Sequence, residues 1–326
     1  MRCRNPYIAP GGGAHGCGQC LPCRINKKRE WAHRIMLEAR CHEVSSFWTL
    51  TYNDANLPWV GSSSNGFPTL VPKHLTDFMK RLRKYHHPLQ LRYFNVGEYG
   101  DQYGRPHYHL ALFNFPACDR GVTDLNKRGD CCPLCDAVRE IWAKGQVFSG
   151  QLEDASAAYI CGYVTKKLTT EEDIRWANRS GKRNSGNKEW NQETADTAHP
   201  EFARMSLKPG IGATFMPEVA SVLLSHNLDT SLPDVPTSLM VGTRARPLGR
   251  YLTRTLRKHV GMEPNAPQAT LEKAKAKLLP LREEAKAMAP KGLYSETFRT
   301  LIINAHQGNY DRTVFFSKLQ KKRGSL

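Results

Sequence analysis

Alternation of apolar and polar positions over residues 92–113 frames the reading of this chain. Arg92-Tyr-Phe-Asn-Val-Gly-Glu98-Tyr-Gly and Arg105-Pro-His107-Tyr-His109-Leu-Ala-Leu-Phe113 both switch face residue by residue, with Gly100-Asp-Gln-Tyr-Gly104 between them. Rich in aromatic and branched side chains, the two halves predict a β-hairpin. Ser46-Phe-Trp-Thr-Leu-Thr-Tyr52 predicts a first core strand and Gly145-Gln-Val-Phe148 another. A helical period runs through 24–40, where Trp31, Ala32, Ile35, Met36 and Ala39 share an apolar face. Lys27, Arg29, Arg34 and Arg40 point away from that stripe, while Lys28 falls within it and Leu37 outside. Residues 73–85 predict a second, basic helix with Leu75, Phe78, Met79 and Leu82 inward. Residues 153–167 predict a third, capped by Asp154 or Ser156. Gly61–Gly66 and 177–200 read as polar loops, and Met205–Gly212 as a turn. Beyond Leu252 the pattern is helical to the end, with Pro280 interrupting Leu271–Met288, and there is no internal repeat.

Charge narrows the class of partner. Lysine and arginine total 47 against 30 acids, a formal charge of +17. Interleaved with aromatics, that excess points to a polyanion, with nucleic acid first. No apolar run reaches the roughly 18 residues of a membrane span. The start, Met-Arg-Cys-Arg-Asn-Pro, lacks a signal-peptide core, so a cytosolic protein is expected. Ten cysteines in such a chain are expected as thiols and metal ligands rather than disulfides.

Three groups of residues carry candidate chemistry. On a strand, His107 and His109 face the same way, and a register pairing 98 with 107 sets Glu98 across from them. Two imidazoles and a carboxylate form a set that binds a divalent ion and leaves positions open. Cys17-Gly-Gln-Cys20-Leu-Pro-Cys23, with Cys3 upstream, has the spacing of a structural zinc site. An iron–sulfur cluster would call for a further Cys-Pro, but Arg24 follows instead. Cys132-Pro-Leu-Cys135, near Cys118 and Cys131, has the spacing of a second zinc knuckle. Finally, Tyr159 and Tyr163 lie four apart on one helical face, with Lys166 and Lys167 about a turn further on. Alone such a tyrosine pair reads as packing; beside a metal-binding strand pair it becomes a candidate nucleophile pair. Pro209-Gly-Ile-Gly212 could offer N–H groups to a phosphate, although an ordinary turn is the simpler reading. No Gly-x-x-x-x-Gly-Lys-Ser/Thr phosphate loop occurs, so no nucleotide cofactor is expected.

In one order, these motifs resemble the replication initiators of the small single-stranded DNA phages, the microviruses, particularly their gokushovirus branch. The matching pieces are Cys17-x-x-Cys20-x-x-Cys23-Arg with Trp31, Phe47–Tyr52, Val96-Gly-Glu-Tyr-Gly100, Arg105-Pro-His-Tyr-His109, Tyr159-x-x-x-Tyr163 with the two lysines, Pro209–Gly212 and Pro247-Leu-Gly-Arg-Tyr251. Leu207 departs from the pattern, where an arginine is expected. The family belongs to the HUH endonucleases, in which a His-hydrophobic-His strand holds a divalent ion and a helix-borne tyrosine cleaves DNA. The resemblance implies an α+β fold with a central antiparallel sheet flanked by helices, an RRM-like core. Its expected organisation is a Cys-rich basic segment at 1–45, the endonuclease core at 46–168, an accessory basic region at 169–262 and a helical region at 263–326. It further implies Mg²⁺ or Mn²⁺ on His107, His109 and Glu98, catalysis by Tyr159, Tyr163, Lys166 and Lys167, and structural Zn²⁺ on Cys3, Cys17, Cys20 and Cys23. Single-stranded and origin DNA, host helicase and host polymerase are the implied partners, and the cytoplasm of a bacterial host the place. A relaxase or single-strand transposase of the same class, or a zinc-stabilised single-strand binding protein without a covalent step, are the rival readings.

Overall fold

In the computed structural model, Ser45–Thr51 (β1), Arg92–Tyr99 (β2), Pro106–Phe113 (β3), Val147–Gln151 (β4) and Phe202–Met205 (β5) form one antiparallel sheet in the order β4-β1-β3-β2-β5. Residues 3–9, 13–61, 66–100, 104–118, 131–164 and 198–323 are described, without the side chains at 163, 164, 230 and 320–323. The hairpin register is the one the alternation predicts, with Glu98 opposite His107 and Val96 opposite His109. The architecture is α+β, as expected.

Period-two alternation gives this sheet two different faces. Trp48, Leu50, Tyr108, Leu110 and Leu112 face α2 (Pro72–Tyr85) and α3 (Pro133–Trp142), whose Leu75, Phe78, Met79, Leu82, Val138 and Trp142 complete one core. Phe47, Phe94, Val96, Ala111 and Phe113 face Ala32 and Ile35 of α1 (Leu21–Ala39) and Ala157, Ile160 and Cys161 of α4 (Asp154–Val164) in a second. Gly97 sits where β2 meets β5, and a Cβ there would lie 2.8 Å from the Phe202 ring. Polar groups of the first core are paired. The Tyr52 hydroxyl meets the Tyr108 hydroxyl at 2.8 Å, the Val71 N–H donates to Tyr108 at 2.9 Å, and Trp142 Nε1 donates to the Thr51 carbonyl.

The chain divides into two units, residues 31–215 and residues 1–30 with 216–326. In the latter, a hairpin of Ser238–Val241 and Arg244–Pro247 precedes five helices: α6 (Gly249–His259, after α5, Met216–Ser225), α7 (Gln268–Ala276), α8 (Leu279–Met288), α9 (Tyr294–Ala305) and α10 (Gln307–Arg323). Phe298, Ile302 and Ala285 make its small core, and Asp234 takes both Arg257 Nε and Nη2 at 2.8 Å.

Several expectations shift. The strand expected at 145–148 starts two residues later, because Gly145, at φ +153°, packs against the backbone of Thr51 and Tyr52. Ser156, rather than Asp154, closes the start of α4, its hydroxyl taking the Glu153 N–H at 2.8 Å. Pro280 lies in the first turn of α8 instead of breaking a longer helix. Arg34 and Leu37, set outside the apolar stripe of α1, are both buried. Arg34 spreads its guanidinium over Trp31, 3.9 Å from the ring centre, and donates to the Ile211 carbonyl at 3.0 Å, so its charge is satisfied inside the fold. Most of the polar stretch at 177–200 lies outside the described residues.

Candidate active site

His107 and His109 project from β3 on the α1/α4 face, their rings parallel within 2° and 6.4 Å apart. Next door on β2, Glu98 reaches diagonally rather than straight across: its Oε1 lies 2.7 Å from His109 Nε2. Thr49 of β1, paired with His109 in the ladder, meets the other ring nitrogen at 2.8 Å. An ionised carboxylate only accepts, so Nε2 carries the proton and Nδ1 accepts from the threonine hydroxyl. Phe47, two residues back on β1, stacks on the same ring at 5.8 Å and 12°. Both His109 and Glu98 are buried, at 4% exposure each.

His107 is held differently. Its Nδ1 is buried without a hydrogen-bond partner. Burial, helped by the nearby His109, lowers its pKa against the pull of Glu98, so the ring is neutral near pH 7, as a metal-binding imidazole has to be. Arg105, just before it, is anchored by Asp54 at 2.7 Å and the Tyr52 carbonyl at 2.9 Å.

Helix α4 lies on this same face and carries Tyr159 to the histidines. The Tyr159 ring meets His109 edge-on, at 5.0 Å and 80°, and Phe47 at 6.2 Å, while staying 46% exposed. Glu98, His107, His109 and Tyr159 line one open cleft of ≈ 750 Å³. The Tyr163 backbone continues the helix one turn on, but its side chain, and Lys166 and Lys167 entirely, lie outside the described residues.

Among the described residues, two groups of His, Cys, Asp or Glu bring their donor atoms within 4.8 Å of one another, and both are four cysteines. The His107, His109 and Glu98 donors are spread more widely. Cys3, Cys17, Cys20 and Cys23 form the first group, and Cys118, Cys131, Cys132 and Cys135 the second; either could hold a metal such as zinc. In the first, backbone N–H groups of Cys17 and Cys20 point at sulfur, to Cys3 at 3.2 Å and Cys17 at 3.3 Å. Burial works against ionising Cys17, but those N–H donors and the neighbouring thiols bring it down to about 6.

The glycine turn does not offer a free anion site. Gly212 N–H donates to Glu38 Oε2 at 2.7 Å and the Thr214 hydroxyl to the same oxygen at 2.9 Å. Arg92 bonds the other Glu38 oxygen and reaches the Pro209 carbonyl at 2.8 Å. The turn is therefore bolted to α1 by a buried carboxylate, and Leu207 beside it is exposed. Sequence reasoning missed Thr49, Phe47 and Glu38. The first two share the period-two face of β1, a signal that becomes specific only once β1 is known to pair with the histidine strand.

Residues 45–168 match the model of a family described as replication-associated protein ORF2. The chain is 35% identical over 160 residues to replication-associated protein ORF2 of Spiroplasma virus 4, covering 48% of this chain and 49% of that protein. It is 30% identical over 181 residues to replication-associated protein VP4 of Bdellovibrio phage phiMH2K, 54% of this chain and 57% of that one. Against replication-associated protein ORF4 of Chlamydia phage 1 it is 29% identical over 174 residues, 51% of this chain and 42% of that one. The chain thus spans about half the length of the curated relatives it matches. No solved structure matches it. Through residues 45–168 and these relatives, the chain resembles the replication-associated proteins of small phages, as its motifs implied.

Proposed function

We propose that this protein initiates rolling-circle replication, nicking a single-stranded origin by tyrosine transesterification and later rejoining the strand. The observation that carries this reading is Tyr159 set edge-on to His109, in one cleft with Glu98 and His107. The donor set fits a divalent ion. Two cis ligands about 2.1 Å from such an ion stand about 3 Å apart, close to the 2.7 Å between Glu98 and His109. His107 adds a neutral ring with a buried, unpartnered nitrogen. Mg²⁺ or Mn²⁺ bound there by His107, His109 and Glu98 supplies charge stabilisation to the scissile phosphate.

The chain's own residues do the rest. Tyr159 or Tyr163 attacks phosphorus: a phenol oxygen–phosphorus bond forms and the bond to the 3′ oxygen breaks. The tyrosine gives up its proton and the departing 3′ oxygen gains one, leaving a 5′-phosphotyrosine and a 3′-OH that primes synthesis. A free phenol has a pKa of roughly 10, and Lys166 and Lys167 favour its ionised form electrostatically. Thr49 and Glu98 hold the His109 ring in one orientation, and Phe47 closes its open face. After one circuit the second tyrosine attacks the regenerated junction, and the new 3′-OH rejoins the first 5′ end. The tyrosyl link conserves the phosphodiester energy, so closure needs no nucleotide cofactor. Zn²⁺ on Cys3, Cys17, Cys20 and Cys23 has a structural role. Origin DNA, host helicase and host polymerase are the partners, in the cytoplasm of the bacterial host. Among the described residues no helix is long and apolar enough to cross a membrane.

The test uses single-stranded DNA of candidate origin sequence, labelled at either end and incubated with Mn²⁺. Label retained on protein in a denaturing gel only when it lies 3′ of the nick supports the assignment. Binding without any adduct across the panel rejects it in favour of a non-catalytic single-strand binder.

A further inference from the structure

The second cysteine group lies on the face of the sheet opposite the histidines, in the core shared with α2 and α3. Cys118 follows the end of β3, Cys131 and Cys132 lead into α3, and Cys135 is in its first turn. Three of them are buried, at 2%, 8% and 0% exposure for Cys118, Cys132 and Cys135. We propose that Cys118, Cys131, Cys132 and Cys135 hold a structural Zn²⁺ that clamps the entry of α3 to the end of β3.

Geometry is the first argument. Zn–S bonds of about 2.3 Å in a tetrahedron put sulfurs about 3.8 Å apart. Cys118 Sγ lies 3.3 Å from that of Cys131 and 3.8 Å from that of Cys132, and all four sulfurs fall within 4.8 Å of one another. A core that merely filled space with sulfur would have no reason to gather four from separate stretches at one point. Cys132-Pro-Leu-Cys135 then spans the N-cap and first turn of α3, where the helix N-terminus favours negative sulfur. Without a cation the cluster is electrostatically awkward: burial, and after it the neighbouring sulfurs, push Cys135 well above the ordinary thiol range, and Cys131 is raised by the same causes.

The clamp has a consequence for the sheet. The Cys118 N–H donates to Ser149 of β4 at 3.0 Å, and at the other end of α3 Trp142 donates to the Thr51 carbonyl and packs on Tyr52 and Tyr108. A metal at Cys118–Cys135 therefore fixes the helix that backs β1 and β3, the strands bearing Thr49, His107 and His109. Its binding energy enters as folding energy. The site stands independently of the nicking reading, since none of its residues lines that cleft.

The experiment measures zinc per chain in full-length protein produced with zinc, for the unaltered sequence and for Cys17→Ser/Cys20→Ser, which removes the first group. Two equivalents falling to one, with Co²⁺ giving tetrahedral thiolate absorption in the variant, is the expected result. Cys132→Ser/Cys135→Ser should likewise lose one equivalent. A folded Cys17→Ser/Cys20→Ser protein that binds neither Zn²⁺ nor Co²⁺ overturns the proposal. If the variants fail to fold, iodoacetamide labelling of the unaltered protein decides. The Cys131–Cys135 peptide should be protected until a chelator is added; equal labelling with and without chelator, or a Cys118–Cys131 disulfide in non-reduced digests, overturns it.

Discussion

Replacing Glu38 by glutamine tests whether a buried carboxylate holds the glycine turn against α1. Glu38 is fully buried and accepts from Arg92, the Gly212 N–H, the Thr214 hydroxyl and His42. Burial alone would raise its pKa, yet hydrogen bonds from His42, Arg92 and Gly212 outweigh it and bring the group from 4.5 to about 2. At about 1.4 kcal/mol per pH unit that difference corresponds to about 3 kcal/mol of stability. Removing one partner of a buried ion pair costs roughly 3–5 kcal/mol, which agrees. The folded-state value is depressed, so the contribution is complete above about pH 4.5 and is lost as pH falls toward 2. Tryptophan fluorescence in urea reads the right unit, because all six tryptophans lie within residues 31–215. Glu38→Gln is expected to lose about 3 kcal/mol at pH 7 and to lack that share of the acid-induced loss. A variant within about 0.5 kcal/mol of the unaltered protein, with a parallel acid limb, would refute the reasoning.

Other outcomes follow from the same structure. Tyr159→Phe with Tyr163→Phe should abolish DNA cleavage while binding to the same oligonucleotide, read by fluorescence anisotropy, is kept; residual nicking defeats the nucleophile assignment. His109→Ala should remove metal-dependent nicking throughout a Mn²⁺ titration and, by stripping Glu98 and Thr49 of their partner, cost about 1–3 kcal/mol in urea denaturation. Gly97→Ala forces a methyl against the Phe202 ring and should cost about 1–3 kcal/mol; a neutral result would show that β5 yields freely.

Much of this arrangement is legible in the sequence because strand patterning is local. Alternation over 92–113 carried the register that sets Glu98 opposite His107, and the apolar positions of α2 are the buried ones. What the alternation left out is side-chain direction: Glu98 turns to His109, a choice fixed by Thr49 on a strand more than forty residues away. Arg34 and Glu38 look like the solvated face of a helix, and only the distant Ile211, Gly212 and Arg92 offset the cost of burying them. The strand Phe202–Met205 and the hairpin at 238–247 were unreadable for a related reason. Both are short, and an edge position or two-stranded ribbon imposes little pattern.

The central claim is that a tyrosine of α4 joins DNA covalently. Its most direct measurement is mass spectrometry of a tryptic and nuclease digest of the protein after reaction with single-stranded origin DNA and Mn²⁺. A nucleotide-bearing peptide from between Lys144 and Lys166, fragmenting to place the phosphate on Tyr159 or Tyr163 and absent after EDTA, is the expected result. A nucleotide on any other residue, or cleaved DNA with no linked peptide, would contradict it.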